Sequence, residues 1–227
     1  YLLVLLSAPI VGAWADAHAA KKKLLLIATT GCVIFTAALY FTGPGTVALA
    51  IALIILSNFF FATGENLIAA FLTELADSKA MGRVSGWGWA FGYLGGLVSL
   101  GISLSYILVS EKNGQTATQF VPVTMLITAV VFALCATPTF VFLKERALPQ
   151  KSRGNAWEEV LRTIREANRF RDLRRFLVCI LFYQAGIMAV IALAAIYATE
   201  AMKFTFVDTI ILILVVNITA ALGAFSF

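Results

Sequence analysis

Apolar runs and polar breaks alternate along the whole chain. The runs cover residues 1–15, 24–41, 46–75, 84–109, 120–143, 176–199 and 207–227. A helix rises ~1.5 Å per residue, so roughly 20 apolar residues cross a hydrocarbon core about 30 Å thick. Most of the runs reach that length, which soluble core helices rarely do. The pattern predicts an all-α integral membrane protein with about seven transmembrane helices.

The breaks differ in charge. Lys21, Lys22 and Lys23 occupy the first, Lys79 and Arg83 the third, and ten basic residues the fifth, residues 144–175; the second has none, and Lys112 and Lys203 stand alone in the fourth and sixth. Fifteen of the 17 Lys and Arg residues therefore lie in alternate loops, which the positive-inside rule places in the cytoplasm. The net charge of +5 reads as orientation and contact with anionic headgroups, not as nucleic-acid binding. Tyr1 and Phe227 both lie inside apolar runs, so a fragment is expected, with an odd number of spans, most simply one, ahead of Tyr1. The absence of a visible signal peptide is uninformative here. Cys32, Cys135 and Cys179 are isolated within apolar runs and are expected to be buried in packing. The sequon at Asn217 falls inside a span and is unavailable for glycosylation.

The loops assigned to the outside are short and turn-like, leaving no room for an extracellular domain. Residues 144–175 form the one long connection. Asn155 and Glu158 have the spacing of a helix-start capping box. Trp157, Val160, Leu161, Ile164, Ala167, Phe170 and Leu173 then recur at helical spacing with Arg162, Arg165, Arg169 and Arg171 between them. This predicts an amphipathic helix on the inner membrane surface or against the helix ends, serving either as a linker or as a regulatory, partner-binding surface.

Glu65 is the most consequential single residue. It stands 19 residues from Thr46 and 11 from Ala76, or about 28 Å and about 16 Å along a helix. A carboxyl group at such depth is costly and faces a bundle interior or a wet cavity. Asn58, seven residues earlier, shares its face, and Asn66 lies on the adjoining one. This polar flank is either a substrate or proton site or an interhelical hydrogen bond. Tyr183 and Gln184 interrupt the sixth run and either line a pathway or bond a neighbour. Gly88, Gly92 and Gly96 form a GxxxGxxxG face, expected to pack closely against another helix. They are not a nucleotide loop, because GxGxxG spacing and a following GK[ST] are both missing. In the first loop Asp16 precedes Lys21, Lys22 and Lys23, and is expected to face a helix N-terminus or an Arg and hold one conformation closed; an ordinary basic loop is the alternative. The single histidine, His18, is expected to be solvated. Without metal-ligand spacing, HExxH or clustered acids, no catalytic residue, metal or cofactor is assigned, and an intramembrane enzyme is disfavoured.

Residues 12–23, GAWADAHAAKKK, resemble the loop signature between the second and third helices of the major facilitator superfamily. Ala17 and Ala19 stand where that signature carries a basic residue and a glycine. Residues 65–96, ENLIAAFLTELADSKAMGRVSGWGWAFGYLGG, look more specifically like the vacuolar amino acid effluxer family of autophagy and its bacterial relatives, and residues 138–146, PTFVFLKER, resemble the end of its sixth helix. The glycine run is also similar to the antiporter motif of drug exporters, but with Tyr93 in place of the proline.

The resemblance implies a twelve-helix transporter fold. Residues 1–143 would supply family helices two to six, 144–175 the central loop, and 176–227 helices seven and eight. It further implies alternating access around a central cavity lined here by the third and sixth runs, with Asn58, Glu65, Asn66, Tyr183 and Gln184 along the pathway and Gly12, Asp16 and Lys21 as a conformational motif. The expected function is secondary active export of a small solute, amino acids by resemblance, with a coupling proton, in a bacterial inner or eukaryotic vacuolar membrane. A non-transporting scaffold or sensor acting through its cytoplasmic loop is the competing expectation.

Overall fold

A computed structural model describes residues 2–146, 158, 161–162, 165–166 and 169–226. The helices are α1 (Leu2–His18), α2 (Lys21–Ala38), α3 (Val47–Leu75), α4 (Met81–Lys112), α5 (Ala117–Phe142), α6 (Arg171–Glu200) and α7 (Phe206–Ser226), with one 3-10 turn, Leu39–Phe41, closing α2. Helix is the form that lets each apolar run satisfy its own backbone N–H and C=O groups in hydrocarbon. Six of the seven, α2 to α7, are long and apolar enough to cross a membrane; α1, at 17 residues, is shorter.

Several helices outrun the apolar segments that foretell them. α4 extends from Met81 to Lys112, and α6 starts at Arg171, inside the stretch expected to be loop. Hydropathy marks the hydrocarbon boundary, whereas the helical hydrogen-bond ladder continues into the headgroup region until a stop signal ends it. At α4 that signal is Gly114, in the left-handed region with φ 76°, with Gln115 N donating to Ser110 O at 3.0 Å and Gly114 N to Glu111 O at 3.0 Å. At the other end of α4, the Arg83 guanidinium lies 5.6 Å from the centre of the Trp87 ring, a cation–π pair suited to a membrane interface.

The described residues divide into two compact units, one holding α1 to α5 with α7 from Val216 onward, the other holding α6 and the earlier part of α7. In the first unit, α2 packs on α3 and α5, α4 on α5 and α3, and α1 on α3. The amphipathic helix expected over 155–173 lies largely outside the described residues. Glu158, Leu161, Arg162, Arg165 and Glu166 are helical, with Arg162 Nε 3.8 Å from Glu166 Oε1.

The α2–α3 contact is an antiparallel ladder. Leu25 meets Leu67 and Phe71 in a buried cluster with Ala15 of α1, surrounded by Val11, Leu24, Phe140 and Leu143. One turn on, a Cβ at Gly64 would lie 3.7 Å from Ala28 Cβ. Gly31 then sits against the face of Phe60, and beyond it Thr36 Oγ1 lies 2.7 Å from Ser57 Oγ, with Cys32 Sγ 3.8 Å from the same hydroxyl. Small residues and interhelical hydroxyl bonds are what membrane helices use to approach closely, because lipid supplies no hydrophobic drive between them.

Two sequence expectations meet different geometry here. Among the described residues nothing lies within 4 Å of a Cβ built at Gly88 or Gly92, and at Gly96 the only neighbour is Asn217 Oδ1 at 3.7 Å. The tight glycine contact is Gly31 on Phe60, because α4 turns Ala90, Ser103, Ile107 and Ser110 inward instead of its glycine stripe. Of the cysteines only Cys32 is buried; Cys135 and Cys179 are exposed, on helix faces that no described neighbour covers. A thiol is apolar enough to face lipid without penalty.

Two stability outcomes follow from these contacts. A Cβ at Gly31 would fall 2.7–2.8 Å from three Phe60 ring atoms, so Gly31→Ala should destabilise the protein by about 1–3 kcal/mol, measured by reversible unfolding in mixed micelles. A double-mutant cycle with Phe60→Leu should show coupling between the sites. α1 ends in the same left-handed stop as α4, but with Ala19 at φ 46° and Ala20 N donating to Ala15 O at 3.0 Å. Ala19→Gly relieves that conformation and should raise stability by about 0.5–1 kcal/mol after the added unfolded-state entropy is subtracted; an unchanged or lower unfolding midpoint would contradict this.

Candidate functional site

α3 presents two regions that can carry function, a polar face at mid-span and an ionic cluster at its end. Asn58, Glu65 and Asn66 are all exposed on α3. Asn58 Nδ2 donates to Ile54 O one turn back at 2.9 Å, which satisfies one of its two amide hydrogens within the helix. Glu65 forms no hydrogen bond or ion pair among the described residues. At 100° per residue, Asn58 and Glu65 lie within about 20° of one another, while Ser57, Phe60, Gly64, Leu67 and Phe71 lie about 90–170° round the helix from them. The ladder with α2 thus fixes which way the polar face points. Beside Asn58, Leu3 and Val4 of α1 join Ile54, Ile55 and Phe59 around a recess of about 270 Å³. Tyr183 and Gln184 are exposed on α6, in the other unit.

At the basic end of the first unit, four chain segments meet around the start of α2. Lys21 Nζ lies 3.1 Å from Asp16 Oδ1 at the end of α1 and 3.1 Å from Glu74 Oε1 at the end of α3. Lys21 and Glu74 are largely buried, with side chains 12% and 13% exposed, whereas Asp16 is 52% exposed. The other Glu74 oxygen accepts from Arg146 N at 3.0 Å. Gly12 has no atom within 4 Å of a built Cβ.

The helix ends of α2 and α5 cap each other. The N-cap of α2 is Ala20, which has no side-chain oxygen for the first free N–H groups. Glu145, just past α5, supplies both of its own: Lys21 N donates to Oε1 at 2.7 Å and Lys22 N to Oε2 at 3.1 Å. In return Lys22 Nζ donates to the carbonyl of Leu143, the C-cap of α5, at 2.6 Å. Each charge has the sign that the facing helix dipole favours.

This geometry redistributes the roles expected of the loop motif. Among the described residues Asp16 pairs with Lys21, and the carboxylate at the α2 N-terminus is Glu145. The reason is spatial, since the left-handed turn at Ala19 brings Asp16 beside the lysine five residues on. Sequence reasoning passed over Glu74 and Glu145, although both fall within stretches that resemble the effluxer family. The available signal was an acid at the end of a span beside a basic loop. His18 is exposed, as expected, with Nδ1 3.0 Å from Trp14 O and its ring stacked on the Trp14 indole at 4.5 Å. No metal-ligand cluster occurs among the described residues.

The family model described as "Vacuole effluxer Atg22 like" matches residues 73–227. An uncharacterised MFS-type transporter of Bacillus subtilis, YxiO, is 26% identical over 208 residues, covering 88% of this chain and 48% of the relative. The chain thus spans about half the length of that curated relative. No solved structure matches. A family match extending over more than half of a multi-helix membrane chain settles its kinship: the protein belongs to the Atg22-like family of vacuole effluxers.

Proposed function

We propose that the protein is a secondary transporter that exports small solutes, amino acids among them, by alternating access and with a coupling proton. The observation that carries this reading is the exposed polar face of α3, with Glu65 well inside a 29-residue apolar helix. An unpaired carboxyl group is retained at that depth where it meets a wet pathway. Asn58 and Asn66 extend the face, and Tyr183 and Gln184 are proposed to serve the same pathway from α6. In this reading α1 to α5 belong to the N-terminal bundle, residues 144–175 connect the halves, and α6 and α7 begin the C-terminal bundle. The family match and the named relative support the transporter class. A bacterial inner membrane or a eukaryotic vacuolar membrane accommodates such a protein equally.

The cluster around Lys21 is proposed to hold the basic end of the bundle as one rigid body, so that movement during the cycle occurs elsewhere. Asp16 and Lys21 act in it with Glu74 and Glu145, and Gly12 stands one turn before Asp16.

Two outcomes test these roles. In proteoliposomes carrying the full-length protein and screened with a metabolite panel, Glu65→Gln should lower transport at least about tenfold and remove its response to a proton gradient. Wild-type rate and gradient response in that variant would eliminate Glu65 from the pathway. At the basic end, Glu145→Ala should destabilise the bundle by about 1–2 kcal/mol, the cost of a lost helix cap. Adding Ala20→Asp, which restores a capping oxygen at the start of α2, should recover part of that loss; no recovery would show that Glu145 acts by something other than capping.

A further inference from the structure

The charged group that the mid-span polar face of α3 offers to a solute is a carboxylate, Glu65. One Asn58 Nδ2 hydrogen is engaged by Ile54 O, which leaves the carbonyl oxygen Oδ1 and the second amide hydrogen to meet a ligand. Glu65 follows two helical turns later on the same face, about 10 Å along the axis. Helical side chains lean toward the N-terminus, so the Glu65 carboxylate reaches back over the intervening turn toward Asn58. No Lys or Arg occurs between Lys23 and Lys79, so neither α2 beyond its first turn nor any part of α3 offers a cation to a substrate carboxylate. The recess formed by Leu3, Val4, Ile54, Ile55 and Phe59 adjoins Asn58, with a volume of about 270 Å³. It is apolar apart from that amide, and large enough for one aliphatic or aromatic arm.

Resting on the transporter reading above, we propose that this α1–α3 surface binds the ammonium end of an amphipathic amine. The cation pairs with Glu65, an N–H meets Asn58 Oδ1, and the apolar arm enters the recess. Charge recognition here reads the amine, not the carboxylate: a zwitterion is held by its ammonium group, and a cation lacking a carboxylate is held at least as well. Such a surface penalises an anion by repulsion from Glu65 and by offering its carboxylate no cation in a low-dielectric setting.

The test compares three probes of one skeleton on the full-length protein in nanodiscs: phenethylamine, phenylalanine and 3-phenylpropionate, measured by calorimetry. Phenethylamine is expected to bind at least as tightly as phenylalanine, and 3-phenylpropionate not at all. Glu65→Gln should weaken phenethylamine binding by about 10- to 100-fold, the range of a lost charge-assisted contact, and Glu65→Asp should retain most of it. Ile55→Trp, which fills the recess, should erase the preference for phenethylamine over ethylamine. The unfolding midpoint of each variant separates lost binding from lost folding. Binding of 3-phenylpropionate as tight as that of phenethylamine, or an affinity for phenethylamine unchanged by Glu65→Gln, overturns the proposal. Phenylalanine binding and transport with no phenethylamine binding also overturns it, while leaving the transporter reading intact. If no compound of a broad panel is bound or moved, the transporter reading itself fails and takes this inference with it.

Discussion

The start of α2 is where the first unit is held together, and the difficulty it solves is electrostatic. A helix beginning at a membrane surface exposes free N–H groups and a positive dipole end. Here it also begins with three lysines and follows an alanine that cannot cap it. Three acids, two of them from distant parts of the chain, resolve this. Glu145 takes the backbone N–H groups of Lys21 and Lys22, and Glu74 with Asp16 takes the Lys21 ammonium. Because these acids belong to the ends of α1 and α3 and the exit of α5, neutralising one helix start also fixes three helix ends.

The two pairs that Lys21 makes differ in weight. Asp16 is half-exposed and close in sequence, so water and salt screen the attraction. The Lys21 and Glu74 side chains are largely shielded, and each Glu74 oxygen has a separate partner. Removing one member of such a shielded pair strands the other, which costs more than the pair contributes while intact. The tie between α2 and α3 is therefore stronger than the tie between α2 and α1, and it lies at one end of the same ladder that runs through Gly31–Phe60 to Thr36–Ser57.

The sequence announces the helices because lipid leaves them so little choice. Apolar length located the long helices, and the charge of the breaks between them alternates along the chain. The pairing of helices was less visible, since a membrane helix is apolar on all sides and no stripe of hydrophobic residues marks the face that packs. The glycine stripe of α4 has the spacing of a close contact, whereas among the described residues the tight approach is at Gly31, whose partner Phe60 carries no sequence signal of its own. Glu65 could be read because depth makes a carboxyl group conspicuous. Glu145 could not, because at a membrane surface an acid is ordinary, and only the fold shows that it stands before the bare N-terminus of α2.

α3 connects the two regions through its rotation. Glu74 is nine residues beyond Glu65 and so points about 180° away from it, toward the side that carries Phe60, Leu67 and Phe71. Whatever holds Glu74 against Lys21 consequently turns Glu65 and Asn58 away from α2. Rotating α3 by even one residue's step, about 100°, would break the Glu74 contact, drive Phe60 off Gly31 and separate Ser57 from Thr36 at the same time. The polar face is therefore set by three contacts on other sides of its own helix, and a change in any of them reaches Glu65 through the rotation of α3.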